Sequence, residues 1–388
     1  MSADDAAGAS APGAARLRLS AFYAAIFLVS GMQLPFWPAW LSGRDLGAEQ
    51  IGMLLAVGMW AKVVATPALG ALADRIGERR RLMVALAGVA CLAYAGLWPA
   101  AGFAALLCLC TLAATAQSAL MPLGDSITLA AVRTARLDYG RVRVWGSVTF
   151  ILASAGGGAA LAAAGGAPDR ILLFVFLGSG VLLAACSAMP NLTGTGKTRR
   201  GSLRIVLRDG RFWLFVATAA ALQASHQVYY GFGTLYWRGL GFSDMMIGAL
   251  WAEGVVAEIA LFWLGGRLVS RLGPLRMMAL GGIAGIVRWS LTGSTEWLPA
   301  VALLQLLHAG TFGASHLGAM LFMARTVPPT AAASAQSLYA AMSSGLGGGL
   351  VMLAAGALYA ALGGGAYLFM ALLSAAGLAG ALLLARRP

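Results

Sequence analysis

Apolar runs of about 20 residues, the length of a bilayer-spanning helix, return again and again along this chain, each closed by a short polar gap. Twelve can be marked, at 19–41, 49–73, 82–99, 103–132, 142–165, 170–190, 212–237, 245–269, 276–294, 297–325, 331–361 and 365–385. In hydrocarbon only a helix or a closed barrel satisfies its own backbone, and runs this long fit the helix. The pattern predicts an all-α membrane protein with twelve transmembrane helices in two pseudo-symmetric six-helix bundles. Residues 1–15 are rich in Ala, Gly and Asp and read as a disordered N-terminus. The first bundle then covers 16–190, a polar linker covers 191–211, and the second bundle covers 212–388. The first apolar run is too long for a signal-peptide core, and no small-residue cleavage site closes it.

The halves repeat at a fixed spacing. Ile51-Gly52 and Ile247-Gly248 open spans 2 and 8, and the stretches Gly70 to Gly77 and Gly266 to Gly273 close them, all 196 residues apart. Two like-oriented six-helix halves are a transporter architecture, with its site expected between the halves near the midplane.

Charge orients the chain. Of its 27 Lys and Arg residues, 22 fall in the N-terminus, the C-terminus and alternate gaps, and only Arg44, Arg170 and Arg238 lie on the opposite side. By the positive-inside rule both termini and the 191–211 linker are cytoplasmic, in a multi-pass protein of the inner membrane. The chain is 60% hydrophobic and 11% charged, which excludes a set of soluble domains. A net charge of +13 would suit nucleic acid, but these charges sit in short loops beside apolar spans, so the bilayer is the expected partner and nucleic acid is not. The four cysteines lie in apolar runs without metal-ligand spacing. No metal, no cofactor and no catalytic constellation is expected, and hence no enzyme.

Within the segment from Gly70 to Arg81, residues 70–80 read Gly-x-x-x-Asp-Arg-x-Gly-x-Arg-Arg. It resembles the loop motif of the major facilitator superfamily, with Ser270 replacing Asp74 in the second copy. Leu34-Pro35-Phe36-Trp37, the run Leu137 to Ser147, Tyr229 to Phe232, Val287-Arg288-Trp289, Leu307 to Phe312 and Ser315-His316-Leu317 are similar to the 3-phenylpropionate permease branch, a relative of lactose-permease-like and nucleoside–proton symporters. The resemblance implies a gating loop built on Gly70, Asp74, Arg75, Gly77 and Arg80. In lactose-permease-like proteins the positions of Arg288 and His308 belong to the proton and substrate network. The acid expected three residues after that His is replaced by Thr311. Glu253 aligns with an acidic substrate ligand of those permeases, and Asp125 with Arg143 matches their sugar-binding Glu/Arg pair.

An unpaired charge at a helix centre costs on the order of 3 kcal/mol or more, so ionisable residues inside spans are the functional candidates. Glu258, His308 and Glu253 are the candidates for proton coupling. Glu258 is favoured because it lies deeper and shares the 196 offset with Lys62. Those two either line one cavity or each pair locally. Five residues turn a helix by about 140°, so Glu253 and Glu258 face differently. Lys62, Asp125, Arg143, His226, Tyr229, Arg288, Trp289 and His316 are the candidates for substrate binding. His308 and His316 are about 80° apart on an α-helix and can border one cavity. A carboxylate substrate would favour Arg143 or Arg288 for its planar fork, and Tyr229 and Trp289 could face a phenyl ring.

Together these readings predict proton-coupled uptake of a small aromatic or organic acid by alternating access, with a monomer as the functional unit. The alternatives are a sugar or nucleoside proton symporter, or a membrane sensor that binds without transport.

Overall fold

The computed structural model describes residues 12–135, 137–190, 206–328 and 330–386, and among them helix dominates and no strand occurs. The helices follow the predicted spans closely. The first six spans are α1 (Pro12–Ser42), α2 (Ala48–Ile76), α3 (Arg79–Gly96), the broken pair α4 (Phe103–Ser118) and α5 (Leu120–Ala135), α6 (Tyr139–Ala163) and α7 (Pro168–Ala188). The helix α1 begins at Pro12, so the expectation of disorder through residue 15 is corrected by one helical turn; the residues before it lie outside the described part, as does most of the predicted linker. Among the described residues, eight helical stretches are long and apolar enough to cross a bilayer by length and composition.

Later spans are more broken. Span 7 is α8 (Gly210–Ala224) and α9 (Gln227–Gly239), and spans 8 and 9 are α10 (Asp244–Leu272) and α11 (Pro274–Thr292). Span 10 runs through α12 (Leu298–Leu306), a π-helical stretch Ala309–Ala314 and α13 (Ser315–Thr326). Span 11 has the same form: α14 (Ala332–Ala340), a π stretch Ala341–Gly347 and α15 (Gly348–Leu362), before α16 (Ala366–Arg386) closes the chain.

Local chemistry sets several boundaries. The Asp138 carboxylate accepts from the Arg141 N–H to start α6, and Asp209 does the same with Arg211 for α8. Pro168 and Pro274 occupy first-turn positions, where the missing N–H costs nothing. The 196-residue repeat also survives in the backbone. Gly77 and Gly273 both turn through left-handed φ of 74°, and Asp45 and Gly241 do so at 60° and 84°. Glycine meets this demand without a Cβ penalty at three of the four.

The chain forms two compact units: residues 1–40 with 61–197, and residues 41–60 with 198–388. In the first, Gly31 lets α1 and α6 approach until an added Cβ would lie 2.8 Å from Ala153, and Ser154 donates to the Gly31 carbonyl at 2.9 Å. Trp37 stacks on Trp40 at 4.5 Å and meets Tyr94 edge-on. In the second unit the aromatic core is Phe215, which stacks on Phe322 and Tyr339 at 4.6 and 5.8 Å. The segment 41–60 packs there because Gly52 abuts Gly356 and the Trp60 indole N–H donates to the Leu346 carbonyl at 3.4 Å.

Candidate functional site

The second unit gathers most of the polar candidates around one guanidinium. Arg288, on α11, has no exposed surface. Its Nη1 donates to Thr311 Oγ1 at 2.9 Å and to His308 Nδ1 at 3.0 Å, and its Nη2 donates to Gln305 Oε1 at 2.8 Å. Its Nε–H meets no acceptor. The guanidinium lies over the rings of Trp289 and Tyr229, 4.4 and 4.8 Å from their centroids. Such a stacked cation is held in place by its aromatic neighbours. Trp251 stacks on Tyr229 at 4.3 Å, and the Trp289 indole donates to Ser225 at 3.4 Å. No ion pair to a carboxylate is made by Arg288 among the described residues. A buried cation surrounded only by neutral partners is an unusual state for a protein interior.

The hydrogen-bond directions fix both buried histidines. Because His308 Nδ1 accepts from Arg288, its ring proton sits on Nε2. That nitrogen lies 3.8 Å from Glu258 Oε2. His226 behaves the other way round. Its Nδ1 donates to the Gln223 carbonyl at 3.2 Å, so Nε2 carries a lone pair and accepts from the Thr311 hydroxyl at 3.1 Å. Both nitrogens of His226 are therefore occupied by protein. Thr311, which stands where the resemblance expects an acid, ties Arg288 to His226.

The π stretch Ala309–Ala314 interrupts the α-helix between His308 and His316, and His308, Phe312 and His316 follow one another at four-residue steps along it. Their rings stack in parallel at 5.4 and 5.7 Å, with interplanar angles of 7° and 5°. The 80° expected between His308 and His316 assumes an unbroken α-helix, and the π stretch between them is a helix form that sequence periodicity does not reveal. Glycine permits the packing. A Cβ on Gly310 would lie 2.8 Å from that of Ala284, and one on Gly313 would lie 2.9 Å from Leu261 and near Glu258.

Other candidates stand apart. Glu253 is half-buried on α10 and joins no ion pair among the described residues. In the first unit Asp125 does not pair with Arg143. It accepts instead from the hydroxyls of Tyr23, at 2.5 Å, and Tyr139, at 3.2 Å. Arg143 lies over Phe27 and Tyr23, at 4.3 and 5.2 Å. Arg143 thus rests on aromatic surface rather than beside the carboxylate of the Glu/Arg pair that the resemblance implies. Lys62 is exposed on α2. Of the gating loop, Asp74 pairs with Arg79 at 3.1 Å, Arg80 donates to the Met189 carbonyl at 3.5 Å just past α7, and Arg75 is exposed. Gly77 supplies the left-handed turn, whereas Gly70 has open space around it.

A family model described as the MFS_1 like family matches residues 16–371. The chain belongs to this family. Among curated proteins it is 33% identical over 363 residues to the probable 3-phenylpropionic acid transporter of Escherichia coli (strain K12), covering 91% of this chain and 93% of that one. It is 27% identical to the maltose permease of Geobacillus stearothermophilus, covering 94% and 93%. The crystal structure of the nucleoside transporter NupG superposes with a TM-score of 0.84 at 16% identity, covering 96% of this chain and 99% of that one. Family, relatives and fold are those of multi-pass membrane transporters of the major facilitator type, not of enzymes. A small-molecule substrate and the lipid bilayer are therefore its partners.

Sequence reasoning missed Gln305, Trp251 and Ser225. The only signal was a neutral polar residue inside an apolar run, which charge-based screening passes over.

Proposed function

We propose that this transporter is a proton-coupled symporter of the inner membrane that takes up a small aromatic acid. The observation that carries the reading is Arg288: a fully buried guanidinium with an idle Nε–H, aromatic faces on it and no carboxylate of its own. The acid that related symporters place three residues after His308 is replaced by Thr311, so the counter-charge comes from the substrate. A planar fork suits a carboxylate, and Tyr229 and Trp289 offer surface to a phenyl ring. The name of the Escherichia coli relative points the same way.

Coupling falls to Glu258 and His308, whose facing atoms are 3.8 Å apart. Protonation of this pair neutralises the site and lets the loaded carrier reorient as a monomer between its two faces. Arginine placement puts both termini in the cytoplasm. Sugar uptake is the second reading, supported by the maltose permease likeness and by Asp125 held between two tyrosine hydroxyls.

Counterflow in proteoliposomes against aromatic acids, sugars and nucleosides separates these readings. The expected result is exchange of 3-phenylpropionate that disappears in Arg288→Gln and survives at a reduced rate in Arg288→Lys, which keeps the charge but not the fork. Exchange of maltose or a nucleoside without any acid exchange would replace the proposal.

A further inference from the structure

Gln305 lies one turn before His308 on α12 and is fully buried. The two ends of its carboxamide are in different states. Oε1 accepts from Arg288 Nη2 at 2.8 Å, while the Nε2 amino group has no acceptor. Arg288 Nε–H is in the same condition. Two neighbouring buried groups, already joined by one hydrogen bond, thus each present an unanswered donor. Buried donors without acceptors are costly, and a membrane interior offers no water to relieve them. His308 and Thr311 hold Nη1 from the other side, so the guanidinium is not free to turn its idle edge elsewhere.

We infer that Gln305 is a substrate ligand and the determinant of acid over amide. One carboxylate oxygen accepts from Arg288 Nε–H and the other from Gln305 Nε2–H. A carboxylate only accepts and answers both donors. The primary amide of the same acid would turn its own NH2 against one of them and leave a buried clash of donors. This assignment rests on the aromatic-acid reading above for its ligand, but not for its account of the two unanswered donors.

The test uses full-length purified protein with 3-phenylpropionate and 3-phenylpropionamide as probes. The parent should bind the acid at least 100-fold more tightly than the amide. Gln305→Leu should weaken acid binding about ten-fold or more, as expected for a lost hydrogen bond to a charged group, and narrow the acid–amide ratio. Gln305→Glu places a carboxylate of the protein on Arg288; it should abolish acid binding and raise the melting temperature of the ligand-free protein. Acid binding by Gln305→Leu equal to the parent's overturns the assignment. A parent that binds no aromatic acid defeats the substrate reading instead. Gln305 is then judged on the ligand-free melting temperature of Gln305→Glu alone, where an unchanged or lower value overturns the inference.

Discussion

Glu258 and His308 face each other across 3.8 Å, and the Arg288 bond to Nδ1 leaves His308 only one nitrogen, Nε2, with which to pass a proton. That nitrogen already carries the ring proton, so it faces the Glu258 carboxylate as a donor, and a proton entering this pair lands on Glu258. We expect Glu258→Gln to keep substrate exchange, which requires no net proton release, and to abolish uphill uptake driven by a proton gradient. Accumulation against a gradient by the Glu258→Gln protein would move the coupling site to His308. Glu253→Gln should be milder, since Glu253 has no facing histidine. Charged and aromatic members of this cluster were legible in the sequence because an ionisable side chain in an apolar run stands out. The pairings were not. Arg143 takes aromatic faces rather than Asp125, and His226 spends both nitrogens on Gln223 and Thr311, outcomes fixed by rotamers and neighbouring helices rather than by spacing.

Helical elements were legible almost throughout, since each span had to be long, apolar and closed by polar turns. Breaks inside spans were not. A π stretch such as Ala309–Ala314 or Ala341–Gly347 has the same composition as the α-helix around it, and only packing decides between them. The α2–α3 joint is the element where a motif and its geometry can be compared directly. Asp74 reaches Arg79 across the left-handed Gly77, while Arg80 answers a carbonyl just beyond α7. The joint thus ties three helices at one end. If it governs reorientation, Asp74→Asn should lower the transport rate several-fold while leaving substrate affinity near the parent's. Equal losses in binding and rate would assign Asp74 to folding or to the site itself. A separate expectation concerns Gly77→Val: a β-branched residue in a left-handed turn should reduce thermal stability by about 1 kcal/mol or more.

For the whole molecule, the arginine distribution makes a sharp topological statement. A reporter fused after Arg200 should read as cytoplasmic, and reporters near Arg170 or Glu296 as external. An external signal from the Arg200 fusion would overturn the twelve-span orientation. The repeat predicts two halves joined by the 191–211 linker, whereas the two compact units do not follow the chain in that order. Residues 41–60 precede most of the first unit in sequence yet pack with the second, because small residues at Gly52 and Gly356 let two distant helices touch. That placement has a consequence in time. The carbonyl that receives the Trp60 indole lies 286 residues further along the chain. At synthesis rates of about 5–20 residues per second, the first half of α2 waits on the order of 15 to 60 seconds for its partner to be made. Through that interval it stands in the membrane as an unclaimed surface, and any chaperone or neighbouring protein that inspects a nascent transporter would meet it first.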